Sequence, residues 1–188
     1  DQDQPNPLEL FQIWLNLPAA SKMADPHFTM FWSQDIPRLV AKDDQGRSTE
    51  VAVIAGPLQD PSAAAGAAIV DALAPPPDSW AAQADADVAI WTFRMAPGAH
   101  WTLPAATGVG TRRSLYFFKG VSITVAGQSV AGHAAIEVRA DTPIELVNNG
   151  SEVAELLLLQ GRPIGEPVAQ YGPFVMNTQA EIAQTMAE

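Results

Sequence analysis

Histidines and carboxylates are the residues here that could hold a metal ion, and the chain has three histidines: His27, His100 and His133. A metal centre of this type needs several such side chains converging on the ion at about 2.0–2.2 Å. His100 follows "APGA" and precedes "WTLPAATG", which supplies neither a second histidine nor a glutamate. His133 follows "SVAG" in a loop pattern, and His27 lies in a Pro-rich region. No metal site is expected in this chain, with His100 as the one weak candidate ligand. Glu137, Glu145 and Glu155 sit in strand patterns and read as outward-facing, solvated carboxylates. A paired-carboxylate glycosidase site would need burial and a defined separation, which nothing in these positions signals.

Other catalytic arrangements fall away. The chain has no cysteine, which excludes disulfides, thiolate metal sites and cysteine nucleophiles. There is no Gly-x-Ser-x-Gly elbow. The glycines of "GPLQDPSAAAGAA" are not followed by Lys-Ser/Thr, so they form no P-loop, and "GVG" at 108–110 is a small-residue turn. No catalytic or cofactor-binding residue is assigned. Trp80 and Trp101 could stack a ligand but read more simply as rim or core packing.

The elements that would position these groups are strands. "TEVAVIAGPL", "VAIWTFRMAPGA", "RRSLYFFKG", "VSITVAGQSV", "AAIEVRADT", "PIELVNNG" and "EVAELLLLQG" are short, β-branched or aromatic, and punctuated by Gly, Asn and Pro. Such spacing predicts an all-β antiparallel sandwich or small barrel. "LELFQIWLNLP" alternates Leu10, Gln12, Trp14 and Asn16 with Phe11, Ile13, Leu15 and Leu17, which predicts a further strand with one strongly apolar face. Residues 61–88 are Ala-rich with three consecutive prolines and are read as a surface excursion. Thr178 and Glu181 have capping-box spacing and open a short C-terminal helix.

Register predicts Trp91, Phe93 and Met95 on one face of their strand, and Leu115, Phe117 and Lys119 on one face of theirs. A barrel lined this way is mostly filled. Arg94, Arg112 and Arg113 are the exceptions. Any of them buried without a carboxylate partner is expected to await an anionic ligand, because an unpaired buried charge is costly.

Length and charge set further bounds. The 188 residues are 47% hydrophobic, with a net charge of −11. This is enough for a packed core. It argues against binding nucleic acid or an anionic membrane, which takes a basic surface. No apolar run approaches the roughly 20 residues of a membrane span, and a cytoplasmic location is expected.

Several segments together resemble the pirin family of bicupins: "FQIWLNLPAASKM", "AVIAG", "APGAHWTLPA", "LYFFKG" and above all "LLLQGRPIGEPVAQYGPFVMNT". The resemblance runs from about Leu10 to Met186. It implies a cupin jelly roll and places this chain in the later part of a two-barrel protein. Residues 1–50 would close the first cupin domain and form an interdomain segment. Residues 51–170 would form the second barrel, with 61–88 as its excursion, and 171–188 a turn and helix. In family members a single iron sits in the first barrel, held by three histidines and a glutamate. No His-x-His occurs in this chain, so iron is expected only in an N-terminal domain absent from it. His100 stands where a metal-binding cupin would begin its first motif.

The chain starts "DQDQPNP" without Met and ends just after its helix begins, and truncation at both ends is expected. Pirins are described as iron-dependent quercetin dioxygenases in some members and as transcriptional cofactors in others. The resemblance thus implies a non-catalytic C-terminal cupin whose main partner is its own N-terminal domain. Trp14, Phe28, Phe31, Trp32, Tyr171, Phe174 and Met176 are the residues expected to face that domain, or to drive self-association when exposed. A stand-alone ligand-binding or enzymatic cupin and a protein–protein interaction module remain the alternatives.

Overall fold

Alternation of large apolar and polar side chains carries most of this chain into two antiparallel sheets that share one core. The structure is a computed structural model describing residues 3–60 and 69–187. Its strands are β1 (Arg38–Lys42), β2 (Ser48–Ala55), β3 (Leu58–Gln59), β4 (Ile69–Val70), β5 (Ala89–Met95), β6 (His100–Leu103) and β7 (Arg112–Lys119). They continue with β8 (Ser122–Val125), β9 (Gln128–Ala131), β10 (Ala134–Val138), β11 (Ile144–Asn148), β12 (Ala154–Gly161), β13 (Ala169–Tyr171) and β14 (Phe174–Met176). Helix α1 spans Gln179–Ala187. It is not long enough to cross a membrane, and no other helix among the described residues is.

Six strands form the larger sheet in the order β1-β2-β5-β12-β7-β10, and four form the smaller in the order β6-β11-β8-β9. The core lies between them. The large sheet contributes Val51, Val53, Trp91, Phe93, Met95, Leu115, Phe117, Leu156 and Leu158; the small sheet contributes Trp101, Leu103, Ile123, Val125, Ile144 and Leu146. Each inward residue stands two positions from the next along its strand, as a half-buried sheet requires. The predicted all-β sandwich and its inward list hold, except that Lys119 is exposed at the end of β7 beside an irregularity in the pairing with β12.

Three expectations are corrected. Leu8–Pro18 is not a strand. It runs extended without a ladder partner over the outer face of the large sheet, where the Phe11 ring meets Phe118 edge-on with centroids 4.7 Å apart. A domain boundary at residue 50 would cut through β2, whose register with β1 runs from Ser48 to Ala52; the packed sheet therefore begins at Arg38. The β8–β9 hairpin turns at Ala126-Gly127, with φ of 49° and 79°. Positive φ at both central residues is the type I′ geometry that suits the twist of a hairpin. The expected excursion lies partly outside the described residues, at 61–68. Its later part returns to the core, where Ala86 and Val88 are buried.

The expected C-terminal helix is present, opened by the capping box. Thr178 N–H donates to Glu181 Oε2 at 2.7 Å, and Glu181 N–H donates to Thr178 Oγ1 at 3.2 Å. Glu166 ties the two ends of the chain together: its Oε2 accepts from Ala19 N–H at 2.6 Å and from Asn177 Nδ2 at 2.9 Å.

Candidate functional site

His100 is the first residue of β6, whose alternation turns Trp101 and Leu103 inward and leaves His100 and Thr102 outside. Its side chain is 48% exposed, with Nδ1 lying 3.5 Å from Glu145 Oε1 on the neighbouring strand. His27 and His133 are exposed as well. Among the described residues no three His, Asp or Glu side chains come together to hold a metal ion. The buried polar residues among those described are Thr49, Arg113 and Asn148, none of them a histidine or a carboxylate, so the residues present do not fit the iron that the resemblance places in a cupin barrel. Of the carboxylates, Glu137 and Glu145 are exposed as expected. Glu155 is not solvated: its side chain is 13% exposed and its Oε1 lies 3.0 Å from Lys119 Nζ and 3.4 Å from Arg94 Nε.

The sandwich interior is polar around the buried Asn148 beside Met95 and, at the opposite end, around Arg113, which lies beside a cavity of about 390 Å³. Arg113 shares the inward face of β7 with Leu115 and Phe117 and is 3% exposed. Directly across the ladder stands Gln160 of β12. The guanidinium donates from Nε to Gln160 Oε1 at 2.8 Å, from Nη1 to Pro104 O at 2.7 Å, and from Nη2 again to Gln160 Oε1. Gln160 is oriented from its other side, where Nε2 donates to Asp87 O at 3.0 Å. Burial pushes the Arg113 guanidinium down to about 10, and the charge of Asp87 opposes the shift.

The cavity wall is held by two local devices. Gly56 has φ of 71°, and a Cβ there would stand 2.0 Å from Val88 O, so only glycine lets the strands close; its carbonyl accepts from Trp91 Nε1 at 3.2 Å. The short 3₁₀ turn Trp80–Ala82 is braced by Arg162. Trp80 Nε1 donates to Arg162 O at 2.9 Å, the Arg162 guanidinium lies 5.5 Å over the Trp80 ring, and Arg162 Nη2 pairs with Asp85. Trp80 thus serves as a brace, and Trp101 packs in the core 5.5 Å from the Phe93 ring. Arg112 is exposed and Arg94 pairs with Glu155, leaving Arg113 alone of the three flagged arginines in the buried, carboxylate-free state.

Apolar side chains gather on the outside as well. Phe28 is 82% exposed, Trp14 and Trp32 are 59% exposed, and Tyr171 is 60% exposed. Leu8, Leu10, Met23 and Met30 extend the same stretch. Phe31 and Phe174 are half-buried. Met176 does not belong to this surface: it is buried against Ala169 and Ile182, because α1 folds back over β13 and β14.

Residues 90–188 match the family of the Pirin C-terminal cupin domain. The chain belongs to the pirin family. A candidate quercetin 2,3-dioxygenase of Pseudomonas aeruginosa is 34% identical over 179 residues, 95% of this chain and 56% of that protein. A pirin-like protein of Caulobacter vibrioides is 33% identical over 98% of this chain and 58% of its own length. The crystal structure of a quercetin 2,3-dioxygenase from Acinetobacter baumannii superposes with a TM-score of 0.68 and 29% identity, covering 93% of this chain and 52% of that one. This pirin chain therefore has the cupin sandwich and spans about half the length of the relatives it matches. The pirin match includes the Arg113 end of the sandwich and the "GRPIGEPV" loop that follows β12.

Proposed function

We propose that this chain is the C-terminal, non-catalytic cupin domain of a two-cupin pirin, and that it supports a metal-bearing N-terminal cupin outside this sequence. The observation that carries the reading is the outer surface of the segment 8–32. An extended stretch with no ladder partner of its own keeps Leu8, Leu10, Trp14, Phe28 and Trp32 exposed. A surface of this kind calls for a covering partner. Relatives nearly twice as long have room for one, and a sandwich with no buried histidine or carboxylate among the described residues leaves the iron chemistry to that other half. For the whole protein the reading extends to an iron-dependent quercetin 2,3-dioxygenase-like enzyme or a transcriptional cofactor acting in the cytoplasm.

Sedimentation velocity on this chain and on a Trp14→Ser/Phe28→Ser/Trp32→Ser variant tests the covering role. The isolated chain is expected to self-associate and to bind the dye ANS, and the variant to be monomeric and dye-free. A wild-type chain that stays monomeric and binds no dye would count against it.

A further inference from the structure

We propose that the cavity beside Arg113 is a binding site for a small apolar monocarboxylate, with the Arg113 guanidinium as its cationic anchor. The proposal concerns this domain's own interior and stands apart from what covers its outer surface.

A guanidinium has five N–H donors. Arg113 uses three of them on Gln160 and Pro104, which leaves one on each terminal nitrogen. All its acceptors are neutral oxygens, and no ion pair between Arg113 and a carboxylate exists among the described residues. Nor could residues 61–68 supply one, since "PSAAAGAA" has no acid. Asp87 is the nearby charge, but its carboxylate is engaged elsewhere. It accepts from Thr107 Oγ1 at 3.3 Å, Gly108 N–H at 2.9 Å and Thr111 Oγ1 at 2.6 Å. A buried cation so placed is stabilised by an anion that reaches it.

The cavity has the size for such an anion. Its volume of about 390 Å³ falls in the lower part of the range of about 300–1,000 Å³ for small-molecule sites. Arg113, Gln160 and Asp87 share the walls with Gln59, Gln83 and Thr107, and the rest is small or apolar, including Ala81, Ala89, Trp91 and Ala106. One fixed cation beside small and apolar wall residues suits a single carboxylate on a small apolar body. A phosphate dianion would call for a second cation, and Arg112, the neighbour in sequence, is exposed on the opposite face of β7. Arginine pairs with carboxylates through parallel N–H donors. Gln160, oriented by Asp87 O, keeps the guanidinium plane fixed for that contact.

The test is an amide-resolved NMR titration of the chain with acetate, butyrate, benzoate and phenylacetate. Benzamide serves as the neutral control and inorganic phosphate as the rival anion. At least one of the apolar carboxylates is expected to give saturable shifts at Ala81–Ala84, at Thr107–Gly108 and at the Gln160 side-chain amide. Benzamide should bind about tenfold more weakly than benzoate, the difference expected for a charge-assisted contact. Arg113→Gln should abolish binding. Because that variant perturbs the core, Ala106→Phe provides a second arm: it fills the cavity from a loop and should abolish binding with the melting temperature retained. Absence of saturable shifts with all four carboxylates would overturn the proposal. So would equal binding of benzoate and benzamide, binding of phosphate alone, or an unchanged titration in Ala106→Phe.

Discussion

The side-chain amide of Asn148 donates to the carbonyl oxygen of Met95 at 2.9 Å and so joins the end of the small sheet to the end of the large one. Asn148 is fully buried. Its Nδ2 also reaches Ala96 O at 3.1 Å and Glu152 O at 2.8 Å, and its Oδ1 accepts from Gly150 N–H at 3.0 Å. Replacing it by Leu removes all four bonds at a fully buried position, although Ala96 O keeps the N–H of Ala99. Asn148→Leu is expected to lower stability by about 3 kcal/mol, read as a shift of the urea midpoint with unchanged slope. A change within experimental scatter would mean the two sheets are joined by apolar packing alone.

Asp43 predicts a specific acid limb. Burial pushes its carboxyl upward, but donors from Arg47 N–H and Nε, His100 N–H and Gln45 N–H outweigh it and hold the group at about 2. The unfolded value is about 3.9. With the folded value the lower, the contribution is fully present above about pH 4 and is lost as pH falls through about 2. Urea midpoints measured across that window should fall more steeply for the wild type than for Asp43→Asn. The variant should be less stable at neutral pH, with the two curves converging at the acid end. Parallel curves would remove Asp43 as the source.

The capping box predicts a local effect. Thr178→Ala removes the acceptor for Glu181 N–H and should weaken α1 by about 1 kcal/mol. Hydrogen exchange from Ile182 to Met186 should accelerate by about fivefold, the equivalent of that energy, with β5, β7 and β12 unaffected. Uniform acceleration along the chain would instead make α1 part of the global folding unit.

Much of this architecture is legible because period-two alternation is strong where both sheets contribute to one core. Trp91-Phe93-Met95 and Leu115-Phe117 are placed correctly from sequence alone. The same signal misleads at Leu8–Pro18, which joins neither sheet and instead sets Phe11 against Phe118 on the outer face of the large one. Met176 looks like surface in the sequence because the covering residue, Ile182, lies on a helix whose packing direction the sequence does not specify. Arg113 could be flagged by register as an inward arginine. Its acceptors could not be foreseen, since Gln160 and Pro104 meet it only through the β7–β12 pairing and the loop after β6. Glu155 was unreadable as a covered carboxylate for the same reason: Lys119 and Arg94 come from two flanking strands.

Metal content tests the central claim most directly. The purified chain would be loaded anaerobically with Fe(II), desalted and assayed for iron per chain by elemental analysis, beside His100→Ala. A supporting cupin with no buried histidine or carboxylate among its described residues predicts iron near zero in both. Iron near one per chain, lost in His100→Ala, would contradict the account and make this domain a metal centre in its own right.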